Sequence, residues 1–488
     1  MKNILWLLVS LLFFASCEGI LDRQIPEHNT VDGNVVTDEP SAEVALTGAY
    51  SYLAGADWEF YYIEVPANLA GTLWCTYRAA STGSTSGQGY DYDLIDNTLS
   101  YDNSNILGQW KGAYEMVLAA NWVIDRVENV ADNKFKGNRK NEILAEARFL
   151  RFFAHYYVFK LFCKFYDINS AEGLIYREEP VSVSNHMVAR LNVADSYGKL
   201  LADLDYVIEN GPDFTDSYHA SKDAAKAFKA EVLMMRGNKD DYQAVINLAD
   251  ELIARYPLEK KLDDLYSKGG VASEAIFARF QSQKDTWNTP VMKTFSYNTN
   301  YYLTEHLLNL IQGSGYYDWF QGETIVYDPQ GNPSTYRNTL VKMAPTGKSN
   351  EEIKATTKVF YMRAAALYLL KAEAVARQSS DVDKVRTIIN DNLFSRASHP
   401  VIASQSYTND ELLAEVYKAY LVEMALENGI EFPLAVRFTN PQTGMRYLIS
   451  QKRNLNSEQD MWKAIQPIPQ EEVRVNNLMK QNAGYPEK

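Results

Sequence analysis

Apolar residues recur at helical spacing along most of this chain, and this periodicity constrains the fold more than any other feature of the sequence. Between residues 141 and 162 they are separated alternately by four and three positions, which places them on one face of a helix. That stripe consists of Ile143, Ala147, Leu150, Ala154, Tyr157 and Leu161. Similar patterns cover residues 112–130, 195–208, 225–235, 242–253, 359–377, 382–390 and 411–427. The sequence therefore predicts a mainly α-helical protein.

Some of these patterns come in pairs. Residues 225–253 contain two helical patterns separated by a turn that begins at Gly237, and the second pattern stops before Pro257. Residues 359–390 repeat this arrangement. Helix pairs with small residues at their crossings resemble tetratricopeptide units of about 34 residues, so we expect an α-helical superhelix of tetratricopeptide-like helix pairs. The helical core is predicted at about residues 41–57, 108–165, 194–257 and 359–427.

The N-terminal segment indicates export. The apolar run 4–15 has about a dozen residues, too few to span a bilayer of about 30 Å but suited to a secretory signal. Small residues stand directly before Cys17, a pattern that resembles a bacterial lipobox. We therefore expect a lipoprotein signal peptide over 1–16, lipidation of Cys17, a lipid-anchored tether over 17–40 and a single domain over 41–488. The alternative is an ordinary signal peptide with an incidental cysteine.

Charge and cysteine content exclude several classes of protein. The 488 residues carry 48 Lys and Arg against 62 Asp and Glu, a net charge of −14, and such a chain repels the phosphate backbone of nucleic acids. We therefore predict no nucleic-acid partner. Three cysteines are too few for a disulfide scaffold, and Cys75 and Cys163 fit no metal-ligand spacing. We expect both to be buried free thiols, although pairing in an oxidising compartment is left open.

Aromatic residues make up 12% of the sequence, and many lie in two regions without helical periodicity, residues 58–107 and 284–358. Because disordered loops are poor in aromatics, we expect both regions to be folded and loop-rich, and long folded loops are often binding surfaces. A Trp or Tyr ring stacks on the apolar face of a sugar while nearby polar groups bind its hydroxyls. The side chains that we predict to bind a ligand are Trp74, Tyr77, Arg78, Tyr90, Trp287, Tyr316, Tyr317 and Trp319.

This prediction depends on one geometric condition. The regions around Trp74 and Trp319 must meet as one patch of rings that is open to solvent. The same rings could instead stack on peptide aromatics or nucleobases, and individual rings could fill gaps in the core.

No arrangement of residues in the sequence indicates an enzyme. Gly347-Lys348-Ser349 lacks the first glycine of a phosphate-binding loop, because Lys342 stands at that position. The six histidines are widely scattered, and no two have metal-ligand spacing. Carboxylate pairs on the predicted helices are expected by chance in an acidic protein, whereas a glycosidase needs two at one cleft. We therefore predict no catalytic residue, no cofactor and no bound metal, with calcium left open.

Five sequence blocks follow one another between Cys17 and the C terminus. They are the helical segment 38–50, the segment 110–121 with Trp110, Tyr114 and Asn121, the segment 145–151 that reads Ala-Glu-Ala-Arg-Phe-Leu-Arg, the segment 360–374 that begins Phe-Tyr-Met-Arg, and a closing block at about 462–485 with Pro467-Ile-Pro-Gln470, Glu472, Asn476 and Tyr485. In this order, behind a lipobox, they resemble the SusD/RagB family of outer-membrane nutrient-binding lipoproteins.

One block departs from the family pattern. Family members have Arg and Asp where this chain has Glu431 and Leu434, so an ion pair that the resemblance implies is missing on both sides. Replacing both partners of a buried pair can be nearly neutral, whereas removing one is costly. We therefore interpret the change as altered packing, in which Pro433 could also distort the chain locally.

The resemblance implies a helical body with four tetratricopeptide-like pairs that supports a loop-rich ligand-binding face. It also implies a SusC-like TonB-dependent barrel transporter, over which the lipoprotein forms a hinged lid, and an oligosaccharide or polysaccharide ligand. Acidic Glu18 and Asp22 resemble the signal that sends such lipoproteins to the cell surface. We thus expect a non-enzymatic, lipid-anchored glycan-binding protein at the surface of the outer membrane. The alternatives are a peptide-binding member of the family, a protein-interaction scaffold and, least favoured, a glycoside hydrolase.

Overall fold

A computed structural model of the chain describes residues 36–54, 62, 65–70, 75–77, 89–279, 301–316, 321–327, 333–340, 359–398, 401–425, 427–452 and 454–486. The predicted signal peptide, Cys17 and most of the tether lie outside these residues. None of the helices that the described residues form is both long enough and apolar enough to cross a bilayer.

Helices form most of the described backbone. In chain order they are α1 (Glu39–Ala54), α2 (Val65–Ala70), α3 (Gly89–Asp96), α4 (Ser104–Glu128), α5 (Arg139–Phe162), α6 (Val193–Asn210), α7 (Lys222–Arg236), α8 (Asp241–Arg255), α9 (Leu262–Lys268), α10 (Glu305–Ile311), α11 (Ala364–Ser379), α12 (Val382–Arg386), α13 (Asn409–Met424), α14 (Glu431–Arg437), α15 (Tyr447–Gln451) and α16 (Gln470–Val475). Short 3-10 or π turns occupy Asp132–Lys134, Gly269–Val271, Thr387–Leu393, Phe394–Ala397 and Glu458–Ala464. The prediction of a mainly α-helical protein is confirmed.

The long helices stack in sequence order into a tetratricopeptide-like array. Helix α4 packs on α5, α5 on α6, α6 on α7 and α7 on α8, and α8 then packs on α11, which packs on α13. The connection between α7 and α8, residues 237–240, is short, which makes these two helices antiparallel neighbours. Helix α1 covers α4 and α5 at one side of the array.

The boundaries of the pair α7–α8 lie within three residues of the predicted ones, because local signals fix the ends of the helices. The Ser221 hydroxyl accepts the N–H of Ala224 and caps the start of α7. The helix ends at Gly237, whose φ of 70° is favourable only for a residue without a side chain. Helix α8 ends at Arg255, just before Pro257.

Helix α5 differs from its prediction as a one-sided apolar stripe. It contacts α1, α4 and α6, and nearly every residue from Ile143 onward is buried, including Arg151 and Lys160. The guanidinium of Arg151 is neutralised by Asp203, with Nε donating to the carboxylate at 2.8 Å. The one-face prediction is wrong because neighbouring helices surround α5. Asp203 pairs with Arg151, and the Lys160 ammonium lies 4.8 Å from the ring centroid of Tyr156.

In the described part of the chain, six strands form two antiparallel sheets. They are β1 (Cys75–Tyr77), β2 (Ala275–Ala278), β3 (Tyr301–Leu303), β4 (Gln321–Tyr327), β5 (Pro333–Leu340) and β6 (Phe360–Arg363). Strands β2 and β6 pair with each other beside α7, and the others form a four-stranded sheet in the order β1-β3-β5-β4. The expectation that 284–358 is irregular is wrong for β3, α10, β4 and β5. The β-branched run Thr324-Ile325-Val326 does favour a strand there.

The block that departs from the family pattern folds without distortion. Pro433 lies in the first turn of α14, where a backbone N–H would have no partner within the helix, so its absence costs no hydrogen bond. The N–H of Leu434 donates to the Ile430 carbonyl at 2.9 Å. Arg437, which is shared with the family, pairs with the fully buried Glu373 at 2.8 Å. The possible distortion by Pro433 is therefore not observed.

Candidate ligand-binding face

The four-stranded sheet joins the two aromatic regions. Strand β1 from the first region pairs antiparallel with β3 from the second, with Cys75 opposite Leu303 and Tyr77 opposite Tyr301. Strands β1 and β4 are the two outer strands, so they are separated by about 14 Å, three strand spacings. Segments of the two aromatic regions therefore meet in one sheet, and the patch of rings from Trp74 and Trp319 stays a prediction.

The register shows which ends of the strands coincide. Tyr302 pairs with Thr339, and Leu340 pairs with Gln321. Since Tyr77 pairs with Tyr301, strand β1 ends and strand β4 begins at the same end of the sheet. The chain therefore leaves β1 and enters β4 at this end.

The predicted ligand-binding side chains fall into three groups. Trp74, Arg78, Trp287, Tyr317 and Trp319 lie outside the described residues. Tyr77 lies in β1 and Tyr90 in α3, but their side chains are also outside the described part. Only Tyr316 has a described side chain. For the other seven residues, ligand binding stays a prediction.

Tyr316 is not a ligand platform, and this prediction is wrong. The residue is fully buried, and its ring packs edge-on against Phe394 with a centroid distance of 5.4 Å. Its hydroxyl donates a hydrogen bond to the Glu423 carboxylate. Burial and the adjacent Glu423 raise the pKa of this hydroxyl well above its usual value. Sequence composition cannot separate an exposed tyrosine from one that fills the core.

Glu423 belongs to a buried ion network that includes Arg363 at the end of β6. Its carboxylate accepts bonds from Arg363 at 2.6 Å and from Arg396 at 2.5 Å. Arg363 also binds Glu427 at 2.6 Å and Glu274 at 3.1 Å. Burial opposes ionisation of Glu423, yet Arg396 and Arg363 lower its pKa overall. The network thus links Arg363 at the end of β6, Arg396 and Tyr316 to Glu423 on α13.

A buried lysine, Lys452, joins two helices of the first aromatic region. Helices α2 and α3 pack on each other and lie on either side of residues 71–88 in the chain. The ammonium of Lys452 donates to the Leu94 carbonyl and, at 3.3 Å, to the Asn68 carbonyl. These carbonyls belong to the last turns of α2 and α3, where helices lack internal donors and carry partial negative charge. Burial lowers the pKa of Lys452 to about 7, against an opposing effect of Asp96.

A groove of about 510 Å³ lies between α10, α13, α15 and the connections that contain residues 405–407 and 440–442. We call it the tyrosine groove. It is defined by His306, Tyr407, Tyr417, Gln442, Tyr447 and Gln451. The sequence analysis missed it because its members come from several short segments. The polar and aromatic runs at 405–407 and 440–442 were the only available signal.

A second groove of about 380 Å³, the apolar groove, lies between α4, residues 175–186 and α16. Family-block residues line it, namely Trp110, Tyr114, Asn121, Glu472 and Asn476. The Asn121 amide donates to the Arg177 carbonyl at 3.0 Å, and the Asn476 amide donates to the Val188 carbonyl at 2.9 Å. Exposed apolar side chains lie on it or close to it in the chain, namely Val181, Val183, Met187, Val475 and Leu478.

Two described groups of types that often act in catalysis, His155 and Cys163, are buried. His155 is buried, which with the nearby Arg151 lowers its pKa to about 3, and its Nε2 accepts the N–H of Arg177 at 3.1 Å. Cys163 is a free thiol whose pKa burial raises to about 12. Within the described ranges, no group of three or more His, Cys, Asp or Glu could hold a metal ion. The absence of a cofactor stays a prediction.

Two family descriptions match the chain one after the other. Residues 70–234 match a family described as starch-binding and associating with the outer membrane. Residues 235–485 match the SusD family, and this second match covers 251 of the 488 residues, slightly more than half.

Two SusD-like proteins are similar to this chain over different shares of their own length. A SusD-like protein of Formosa agariphila is 22% identical over 91% of this chain and 92% of its own length. A SusD-like protein of Bacteroides ovatus is 26% identical over 46% of this chain, which spans only 38% of that relative.

Solved structures share the fold at low sequence identity. A SusD superfamily protein from Bacteroides thetaiotaomicron has a TM-score of 0.71 at 19% identity, and the match covers 91% of this chain and 99% of that one. A SusD-like carbohydrate binding protein from Bacteroides vulgatus has a TM-score of 0.69 at 14% identity, with 91% and 98% covered. At such identities the comparison establishes a common fold.

Proposed function

The chain belongs to the SusD/RagB family, and from this premise we propose that it captures oligosaccharides at the outer-membrane surface without cleaving them. It then passes them to a SusC-like TonB-dependent barrel transporter. The observation that carries the proposal is the pairing of β1 with β3, because it joins two aromatic-rich segments in one sheet. The starch-binding description of the matched family and the carbohydrate-binding relative of the same fold support a sugar ligand.

Anchoring of the two segments also favours a sugar-binding role. Aromatic platforms bind well only when their rings are held in place before the ligand arrives. Tyr316 fixes the chain next to Tyr317 by its bond to the buried Glu423. Lys452 joins the helices on either side of residues 71–88. Both supports are built from described, buried groups.

Affinity gel electrophoresis across a panel of polysaccharides tests the ligand class. We expect at least one polysaccharide to retard the protein, and Trp74→Ala and Trp319→Ala to reduce that retardation about tenfold or more in affinity, about 1.4 kcal/mol each. Trp122→Ala is the matched control, since Trp122 is exposed on α4 beneath Arg126 and belongs to neither aromatic region. It is expected to bind as the wild type does.

Other outcomes would change the proposal. Undiminished retardation of both variants would move the ligand to another surface. Binding of peptides but of no polysaccharide would favour the peptide-binding alternative. Release of reducing sugar from a bound polysaccharide would show an enzyme and overturn the non-enzymatic part of the proposal. Retardation that disappears with EDTA would show that calcium assists.

Lipidation and surface display follow from Cys17. Metabolic labelling with an alkyne fatty acid should label the wild type, and the variant Cys17→Ser should be unlabelled. Protease treatment of intact cells should digest the wild type if it faces the medium. Resistance to the protease in cells would contradict surface display.

The transporter contact is supported by the apolar groove. Clusters of exposed apolar side chains on a folded surface commonly mark protein contacts. Val475 in α16 is 58% exposed, and Val181 across the groove is 46% exposed. A barrel partner that covered this groove would remove both side chains from water. Tetratricopeptide-like arrays offer extended surfaces of this kind.

Co-purification from detergent-solubilised membranes tests this contact. Tagged wild-type protein should retain a TonB-dependent barrel, identified by mass spectrometry, and Val475→Asp should lose it while still binding polysaccharide. Val271→Asp is the control, because Val271 is 73% exposed in a 3-10 turn that lies elsewhere. Equal recovery with both variants would place the contact on another surface.

A further inference from the structure

The tyrosine groove begins where the sheet ends. Strand β3 ends at Leu303, Thr304 caps α10 by accepting the N–H of Leu307 at 3.2 Å, and His306 in the first turn lines the groove. Three residues span at most about 11 Å, so the groove starts close to the third residue of β3. Helix α10 packs on α13, which forms the opposite wall. One end of the groove therefore lies close to the sheet that joins the aromatic regions.

The groove contains an aromatic ring that is rigid and accessible. Tyr447 is partly exposed and stacks on Tyr417 with a centroid distance of 4.1 Å and planes 17° apart. Tyr417 is itself buried against Phe438. One face of Tyr447 is thus fixed by a buried ring, and the side chain lines the groove. This is the geometry in which an aromatic ring stacks on the apolar face of a sugar.

Amide groups stand around this ring. The Gln451 Nε2 donates to the Tyr417 hydroxyl at 3.1 Å, which orients the amide. Its Oε1 is buried and accepts no hydrogen bond from the described residues. Gln442 is exposed on the facing connection. Sugar hydroxyls donate and accept hydrogen bonds, so they match such amides well.

The charged groups of the groove sum to one negative charge. Lys418 pairs with Glu415 at 2.7 Å on the same helix. Glu411 accepts the N–H of Thr408 at 2.8 Å in the capping box of α13, which lowers its pKa. Burial and nearby Lys418 lower the pKa of His306, so this imidazole is neutral at pH 7. One negative charge, on Glu411, therefore remains, and it disfavours an anionic ligand.

We propose that the tyrosine groove is a second glycan subsite, which takes neutral sugar residues and extends the ligand-binding face, so that long oligosaccharides bind more tightly than short ones. Its volume of about 510 Å³ suits a short run of sugar residues, since ligand sites commonly have about 300–1,000 Å³. This inference rests on the proposed capture of oligosaccharides. It adds a site outside the residues predicted from the sequence.

Isothermal titration calorimetry with malto-oligosaccharides of two to eight glucose units, and with oligomers of the best polysaccharide from the panel, tests this subsite. Wild-type affinity should rise with chain length. Tyr447→Ala should weaken binding of the longest oligomers about tenfold and leave the shortest unchanged. Trp319→Ala should weaken all lengths. Tyr206→Ala is the control, because Tyr206 is a half-buried tyrosine on α6.

The exposed Gln442→Ala provides a second variant in case Tyr447→Ala folds poorly, and it should show a smaller loss confined to long oligomers. An oligogalacturonide series should show no increase of affinity with length that depends on Tyr447. The subsite is overturned if Tyr447→Ala and Gln442→Ala bind long oligomers as the wild type does. If no oligosaccharide binds the wild type at all, the proposed function fails together with the subsite.

Discussion

The hydroxyl of Tyr316 donates a hydrogen bond to the carboxylate of Glu423, and both side chains are fully buried. Tyr316 belongs to the second aromatic region, whereas Glu423 lies near the end of α13 in the helical array. The bond therefore fixes Tyr316, which directly precedes Tyr317 in the chain, to the helical array. A residue that the sequence suggests as a ligand contact is instead an anchor.

Tyr316→Phe should lower the free energy of unfolding by about 1–3 kcal/mol, because Glu423 loses one of its buried donors. Urea unfolding monitored by circular dichroism measures this change. The control Tyr206→Phe should change stability by less than about 0.5 kcal/mol, as expected for a half-buried side chain outside such a network. Equal stability of the two variants would contradict an anchoring role for the hydroxyl.

Arg363→Met should be far more destabilising, by about 3–5 kcal/mol, because it leaves Glu423, Glu427 and Glu274 without their central cation. Thermal and urea unfolding measure the loss. Arg386→Met removes an exposed pair with Asp383 and should cost no more than about 0.5 kcal/mol. A loss below 1 kcal/mol in Arg363→Met would show that Arg396 alone can neutralise the network.

Much of the helical array can be predicted from sequence because its signals are local. The left-handed φ of 70° at Gly237 ends α7 where the sequence places a turn, and Pro257 follows the end of α8. The surroundings of α5 cannot be predicted in this way. Its periodic pattern indicates one buried face, yet three neighbouring helices bury Arg151 and Lys160 as well.

The candidate site is harder to predict from the sequence than the helical array is. Strand β1 has only three residues, too few to show an alternating pattern, and its partner β3 lies far away in the chain. The tyrosine groove depends on contact between Tyr417 and Tyr447, which belong to different helices. Composition indicated that aromatic residues form a surface, but it could not say which rings are buried. Tyr316, which the sequence suggests as a ligand contact, is one of the buried rings.

Stability should depend on pH through Lys452. Its pKa is about 7 in the folded protein, whereas an unfolded lysine keeps its proton to about pH 10.4. Between these values the unfolded chain binds one proton more, so this group makes the free energy of unfolding rise with pH, by up to about 1.4 kcal/mol per unit. Below pH 7 both states are protonated and the contribution is constant.

Urea unfolding of the wild type and Lys452→Met at pH 7, 8, 9 and 10 measures this effect. The free energy of unfolding of the wild type minus that of Lys452→Met should increase as pH rises. Lys160, whose pKa burial lowers to about 8, contributes with the same sign in both proteins and cancels in the difference. A difference that does not vary with pH would show that Lys452 keeps an ordinary pKa.

Lys452 should also control the first aromatic region, because its ammonium joins the last turns of α2 and α3. In Lys452→Met those carbonyls lose their buried donor, a cost of about 1–2 kcal/mol that falls on the packing of these two helices. Hydrogen exchange should therefore quicken about tenfold in α2 and α3, with no change in α7.

The same variant should bind oligosaccharides several-fold more weakly, because α2 and α3 bracket residues 71–88, which include Trp74 and Arg78. Lys463→Met is the matched control, since Lys463 is a partly exposed lysine that pairs with Asp460. It should leave both exchange and affinity unchanged. Faster exchange without weaker binding would show that Lys452 stabilises α2 and α3 but does not affect ligand binding. Unchanged exchange would show that Lys452 does not hold these helices together.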